Sequence, residues 1–369
     1  MDFSFNEEQQ MLLETTRRLI AKDYTFAQRM NIRDGSDGWS RETWAQFADL
    51  GLLALTIPED DGGIGAGAIG AMLVSNAVGE GLLLEPFHAS AIVATQAVMQ
   101  LGNVDQRARW LPALAGGETI AVLAHDDANQ GVGVEATPSA EGWTLRGHKH
   151  AVYHGDIADL LLVTARIQGG KELALFALPA DAQGVTRHGY RTVDDQRAAN
   201  LAFDNVSVSA DARLGGDATD GVQAALDVGL AALCAEAVGA LDRILAATID
   251  YSRARKQFGV PIGSFQALQH RMADMLMYAE QARSMSYLAT ARCTDADAGV
   301  RRAALSAAKV SIGQAARFVG QQAVQIHGGM GMTDELDVSH YFKRLTAFEL
   351  RSGTTDGHLR GLARGLVGK

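Results

Sequence analysis

Little in this sequence can cross-link the chain or interrupt it. Two cysteines among 369 residues, Cys234 and Cys293, are too few for a disulfide scaffold. Both stand in helical patterns without metal-ligand neighbours. Six prolines leave long stretches free to run as unbroken helix. Positive charge is also scarce, with 33 Lys and Arg against 43 acids and a formal charge of −10. That balance argues against a general nucleic-acid or membrane surface, though not against a local basic pocket for phosphates. No apolar run reaches the roughly 18 residues of a membrane span. The opening Met1-Asp-Phe-Ser-Phe-Asn-Glu-Glu is acidic, unlike a signal or transit peptide. A soluble cytoplasmic protein is expected, and 47% apolar residues can supply a sizeable core.

What is present falls into three textures. Residues 1–118 read as helices. Asn6-Glu-Glu-Gln9 has the spacing of a capping box, and Ser40-Arg-Glu-Thr43 opens a helix carrying Trp44 and Phe47. Further helical patterns cover about 70–81, 87–101 and 104–114. Pro58-Glu-Asp-Asp-Gly-Gly-Ile-Gly65 is a turn-rich loop with no strand before it, so it is no dinucleotide fingerprint. Residues 119–215 change to short apolar runs punctuated by Gly, Asp and Asn: Ile120–Ala124, Trp143–Arg146, Leu160–Thr164, Leu173–Leu178 and Asn200–Phe203. Such close spacing predicts a small β-barrel or sandwich. Residues 216–369 return to the helical period, with helices over about 222–256, 264–293 and 299–327 and shorter ones after Thr333 and Thr354. The class is α+β: a helical domain, a β-barrel, then a four-helix bundle.

Two segments carry chemistry. In Tyr251-Ser-Arg-Ala-Arg-Lys-Gln-Phe-Gly-Val-Pro-Ile262, Gly259 and Pro261 must end the long helix, so its exposed end presents Arg255, Gln257 and Phe258 together. The trio can hold an anion, hydrogen-bond and stack on a flat ring. The plainer alternative is a helix terminus with Arg at the carboxyl end of the dipole. The second segment is Gln325-Ile-His-Gly-Gly-Met-Gly331, whose plainer alternative is a helix stop with a solvent-facing histidine.

The helix–barrel–bundle order, Arg255-Lys-Gln-Phe-Gly259, Gln325-Ile-His-Gly-Gly and Gly353-Thr354 together resemble the acyl-CoA dehydrogenase family. Pro58-Glu-x-x-Gly-Gly and Trp110-Leu-Pro-x-Leu extend the resemblance into the first domain. Leu233-Cys-Ala-Glu-Ala-Val-Gly239 with Lys256–His270 is similar, more narrowly, to small subunits of two-component members such as those for pimeloyl-CoA. The resemblance implies FAD, an acyl-CoA substrate, electron-transfer flavoprotein as acceptor, and a dimer or tetramer of like or unlike chains. In the family a glutamate takes the α-proton of the thioester while the β-hydrogen leaves as hydride to FAD, which lies across a subunit interface. By resemblance, Arg255, Gln257, Phe258, Ile262 and Phe265, with Gln325, Ile326, Gly328 and Gly329, would reach the FAD bound mainly to the neighbouring chain, and Thr354, where the family closes its active site, would also bind the cofactor.

The half of the site that a chain builds for itself departs from the pattern. The family's Tyr-Glu-Gly-Thr reads Leu350-Arg-Ser-Gly-Thr354 here, so Ser352 stands at the base position, and a serine cannot take an α-proton unaided. The other place where members keep the glutamate falls at about Gly229. Glu349, or Glu236 two helical turns on from Gly229, is a weak substitute, and Asp227 is a candidate substrate contact or a further substitute base. Ala151 and Tyr153 replace the Trp and Thr that meet the flavin ring. His125-Asp-Asp127 and the following Asn-Gln-Gly-Val-Gly lack the usual Thr-Glu-Pro and Gly-Ser-Asp. His125, Asp126 and Asp127 resemble a metal cluster by type only, because neighbours on a strand face opposite ways. The combined expectation is a partner chain whose retained groups complete the FAD site of another subunit. The rivals are a self-sufficient enzyme with a relocated base and a scaffold without flavin.

Overall fold

The computed structural model describes residues 5–125 and 133–367. Six α-helices come first: α1 (Glu7–Asp23), α2 (Phe26–Asp34), α3 (Arg41–Asp49), α4 (Gly67–Gly81), α5 (Thr95–Leu101) and α6 (Val104–Ala115). Asn6 and Gln9 exchange the two bonds of the predicted capping box at 2.8 and 3.1 Å. Ser40 caps α3 by accepting the Thr43 N–H. Residues Phe87–Ala94, read as ordinary helix from the sequence, form a π-helix that runs into α5. Such widened turns are rare and cluster at functional sites.

Eight strands follow: β1 (Ala121–Ala124), β2 (Val134–Ser139), β3 (Gly142–Tyr153), β4 (Leu160–Ile167), β5 (Leu173–Pro179), β6 (Val185–Arg191), β7 (Arg197–Ser209) and β8 (Arg213–Leu214). The domain expected as a barrel is one sheet in the order β6-β7-β3-β2-β4-β5-β8, with β1 paired to β4. Its burial explains the sequence texture. Leu161, Val163, Phe176 and Leu178 pack into one core with Leu145, Leu201 and Phe203. Leu160, Leu162, Leu175 and Ala177 on the same strands pack into a second core with α5, α6 and Val222. Strands β1, β4 and β5 are therefore buried on both faces and read as continuous apolar runs.

The C-terminal part comprises α7 (Thr219–Ala254), a two-stranded hairpin β9 (Lys256–Gln257) and β10 (Val260–Pro261), α8 (Gln266–Arg292), α9 (Ala298–His327), α10 (Asp337–Leu350) and α11 (Thr355–Val367). Helix α9 packs against α8, α10 and α11. By length and composition α7 is apolar enough to cross a membrane, with an 18-residue window of mean hydropathy 1.7, contrary to the sequence expectation. That window is 89% buried, which makes α7 a core helix.

The chain divides into two compact units. One draws on Met1–Asn31, Met72–Leu83 and Leu230–Lys369, the other on Ile32–Ala71 and Leu84–Gly229. Within the first, α4 meets α7 through paired glycine notches. A Cβ on Gly79 would lie 1.9 Å from the Glu236 carbonyl oxygen, and one on Gly239 would lie 2.0 Å from that of Asn76. Backbone contact at this range admits no side chain. Gly79→Ala and Gly239→Ala are each expected to destabilise the protein by about 2 kcal/mol or more, overriding the ~1 kcal/mol alanine gains in a helix. Thermal unfolding of the two variants checks this; an unchanged or raised midpoint would show that the helices can separate freely.

Candidate functional site

The first motif is built as a hairpin rather than as a helix end. Helix α7 stops at Ala254, although the Arg255 N–H still donates to the Tyr251 carbonyl at 2.8 Å. Val260 pairs with Gln257 across β9–β10, so Phe258 and Gly259 form the two-residue turn. Their φ angles are +53° and +82°. Both-positive turns of this kind favour Asn-Gly, and a phenylalanine in the left-handed region costs roughly 1–2 kcal/mol. The Ile262 N–H closes the hairpin on the Arg255 carbonyl at 2.8 Å. Phe258 is 92% exposed, with its ring edge-on to half-buried Phe265 at 6.1 Å. Arg255 and Gln257 are exposed, while Ile262 is buried under the hairpin.

The second motif lies at the end of α9. Gln325 is exposed, Ile326 and His327 are buried, and Gly328 leaves the helix at φ +61°, ψ −141°, a conformation open only to glycine. No atom lies within 4 Å of a Cβ built on Gly328 or Gly329, so this backbone is open to close approach. The Tyr251 ring stacks on that of His327, with centroids 4.3 Å apart and planes 27° apart. The structure thereby brings the two motifs together at one end of the bundle. A guanidinium, two amides and uncovered glycine backbone are the donor set a diphosphate needs, and so they fit the pyrophosphate region of FAD.

The other expected residues take different duties. Ser352 is exposed at φ +54°, followed by Gly353 at +89°. Thr354 caps α11, its hydroxyl accepting the Gly357 N–H at 3.1 Å. Glu349 accepts both the N–H and the hydroxyl of Thr355, at 3.1 and 2.5 Å, and sits 3.5 Å from Arg317. Its carboxylate holds the start of α11. Glu236 is paired with Arg344 at 2.7 Å, both side chains 3% exposed, and Arg344 also donates to the Leu83 carbonyl. A Cβ on Gly229 would lie 2.6 Å from Val93 Cγ2, and the Gly229 carbonyl accepts from His88 Nε2 at 2.9 Å. No glutamate fits there while the π-helix keeps its place. Asp227 is buried and accepts from Gln223 at 2.9 Å.

On β3, His150 and Ala151 together oppose Asn200, a bulge that puts Ala151 at φ +50° with its N–H on the Asn200 side chain. The methyl group of Ala151 thus stands at the position where the family's pattern has a tryptophan. Tyr153 is half-buried beside it. His125 Nδ1 lies 3.2 Å from the Thr164 hydroxyl. Asp126 and Asp127 fall outside the described residues. Among the described residues no three His, Cys, Asp or Glu side chains are placed to hold a metal ion.

Two residues escaped the sequence reading. Lys309 is fully buried, and its ammonium donates to the carbonyls of Phe348 and Arg351 while lying 3.9 Å from the Phe348 ring centroid. Burial pulls its pKa down to about 8. The signal was a lysine in register with Leu305 and Ile312 on the buried stripe of α9. His358 donates from Nε2 to the Ser352 carbonyl at 2.8 Å, leaving Nδ1 to accept from the Ser306 hydroxyl at 3.0 Å. The turn at the family's base position is therefore fastened on both sides.

Comparison with known proteins decides the affiliation. The N-terminal domain model of acyl-CoA dehydrogenases matches residues 6–118, and the C-terminal domain model matches 219–367. The acyl-CoA dehydrogenase FadE12 of Mycobacterium tuberculosis is 32% identical over 316 residues, covering 81% of this chain and 80% of that protein. This chain belongs to the acyl-CoA dehydrogenase family. FadE27 of the same organism is 29% identical across 100% of this chain and 99% of its own. Among solved structures, the ChsE4–ChsE5 complex from Mycobacterium tuberculosis superposes with a TM-score of 0.92 at 27% identity, over the whole of both chains. In this dehydrogenase-family chain Phe258→Asn is expected to raise the stability of the isolated protein by about 1 kcal/mol by relieving the left-handed turn. Glu236→Gln is expected to cost about 3–5 kcal/mol by stranding Arg344. Denaturant midpoints of both variants test this; a Glu236→Gln protein as stable as the parent would free that carboxylate for another role.

Proposed function

We propose that this chain is the non-catalytic partner subunit of a heteromeric acyl-CoA dehydrogenase. Its cofactor is FAD, the flavin of the family, which when bound supplies the two-electron acceptor for α,β-desaturation of an acyl-CoA thioester. Arg255, Gln257, Phe258 and Phe265, with Gln325 and the Gly328–Gly329 backbone, reach the pyrophosphate and adenosine half of FAD held mainly by a second dehydrogenase-like chain. Ile262 and Ile326 support these groups from beneath, Thr354 orders the turn behind Ser352, and Asp227 remains the candidate for contact with the acyl-CoA. Electrons leave to an electron-transfer flavoprotein, and the assembly is a cytoplasmic dimer or tetramer. The division into 1–118, 119–215 and 216–369 is carried forward as part of the reading.

One observation carries it. The groups that face a neighbour are exposed together at one end of the bundle, while none of the expected base positions offers a usable carboxylate. Position 352 is a serine, position 229 is a glycine closed over by Val93, Glu236 and Glu349 are engaged, and Asp227 is buried and hydrogen-bonded to Gln223. A neighbour described as a complex of two differently named chains, ChsE4 and ChsE5, supports a heteromeric assembly.

The test is a visible absorption spectrum with native mass, first for the chain alone and then after co-expression with a dehydrogenase-like chain of the same genome. The expected result is a colourless protein that forms a yellow hetero-oligomer, from which Arg255→Ala releases flavin. A yellow homo-oligomer with stoichiometric FAD would instead favour a self-sufficient enzyme. Flavin retention untouched by Arg255→Ala would leave only a scaffold.

A further inference from the structure

Arg255 and Gly328 lie far apart in the chain, on segments that leave the ends of two different helices. Chain ends of this kind fray unless something ties them. The tie is lateral. Tyr251 stands one helical turn before Arg255, whose N–H donates to the Tyr251 carbonyl, so the tyrosine and the arginine move together. His327 is the last residue of α9 and directly precedes Gly328. The two rings stack at 4.3 Å, and the Tyr251 hydroxyl reaches the His327 carbonyl oxygen at 3.4 Å. His327 is itself held, since its Nδ1–H donates to the Ala323 carbonyl at 2.8 Å.

Both sides of this contact are dovetailed with glycine. A Cβ on Gly331 would come within 2.9 Å of His327 Cβ and of the Val324 carbonyl oxygen. One on Gly263, where the hairpin returns, would come within 2.9 Å of the Ser252 hydroxyl. The turn after α9 thus folds back on His327, and the hairpin folds back beside Tyr251.

We propose that Tyr251 and His327 are positioning residues that set the spacing between the Arg255 arm and the Gly328–Gly329 arm so that both reach one diphosphate. The proposal rests on the partner-subunit reading of the same site. Neither ring needs to touch the nucleotide. A bound group has to be met within roughly half an ångström by donors whose own supports are rigid, and this stack is the support the two arms share.

The experiment measures the FAD dissociation constant of the co-expressed complex by flavin fluorescence, with native mass and melting temperature followed in parallel. Tyr251→Ala and His327→Ala are each expected to weaken FAD binding by about tenfold, and the double variant by no more than the worse single one, because both remove the same contact. His327→Phe, which keeps a stacking ring, is expected to recover most of the affinity. Native mass should not change in any of them. Additive losses, or lowered melting with unchanged FAD affinity, would assign the stack a structural role only and overturn the proposal. Arg255→Ala separates the two levels of argument. If it releases flavin while the Tyr251 and His327 variants do not, positioning fails and the partner reading stands. If Arg255→Ala has no effect, or the complex binds no flavin, both fail.

Discussion

The constraint on which the C-terminal unit rests is the complete burial of the middle of α7. From residue 230 to 241 every residue is buried, so every neighbour must come to the helix on its terms. Gly79 and Gly239 let α4 approach to backbone contact, and the charge on Glu236, which burial would otherwise penalise heavily, is matched by Arg344. Removing either partner leaves a stranded ion, whereas the pair together satisfies the interior. A carboxylate used in this way cannot also be a general base, because a base must be able to take up a proton from substrate and give it away. Burial of α7 therefore bears on the choice of base as well as on the packing.

The same economy of acids governs the turn between α10 and α11. Lys309 reaches the end of α10 from below, His358 holds the Ser352 carbonyl, and Glu349 seizes the first residue of α11. The backbone at the family's base position is fastened by three side chains, yet the residue it displays is a serine. Fastening without a base is consistent with a turn kept for its shape. Desolvating the Lys309 ammonium carries a cost that carbonyl acceptors at a helix end partly offset.

Much of this was legible in the sequence, for reasons that differ by element. Capping boxes are local, so Asn6-Glu-Glu-Gln9 could be recognised from spacing alone. Strands β4 and β5, buried on both faces, announced themselves as apolar runs. Strands β2 and β6 did not, because Val134-Glu-Ala-Thr-Pro-Ser and Val185-Thr-Arg-His-Gly-Tyr-Arg bury little, and β6 is an edge. The π-helix was invisible since its residues have the same period-averaged apolarity as an α-helix. At the site, identities were readable but engagements were not. Glu349 and Glu236 looked equally available until Thr355 and Arg344, distant or ambiguous in sequence, were seen to occupy them. Phe258 was expected at a helix end and stands instead on a strained turn, because a two-residue hairpin depends on pairing between Gln257 and Val260 that no helical period can forecast.

That strain bears on why the two halves of the site have different fates. A left-handed phenylalanine exposed to solvent costs the folded chain free energy and returns nothing to its own core. Asparagine or glycine would be favoured there if only the stability of this chain mattered. Gly329 is costly in the same sense, since it surrenders backbone entropy at a position where no contact of this chain forbids a side chain. These local costs make physical sense if they are offset by something outside the chain that meets the aromatic face and the bare backbone. The occupied carboxylates Glu236 and Glu349, by contrast, are engaged within the chain. The exposed strain at Phe258 is the local feature that a contact from outside the chain would offset.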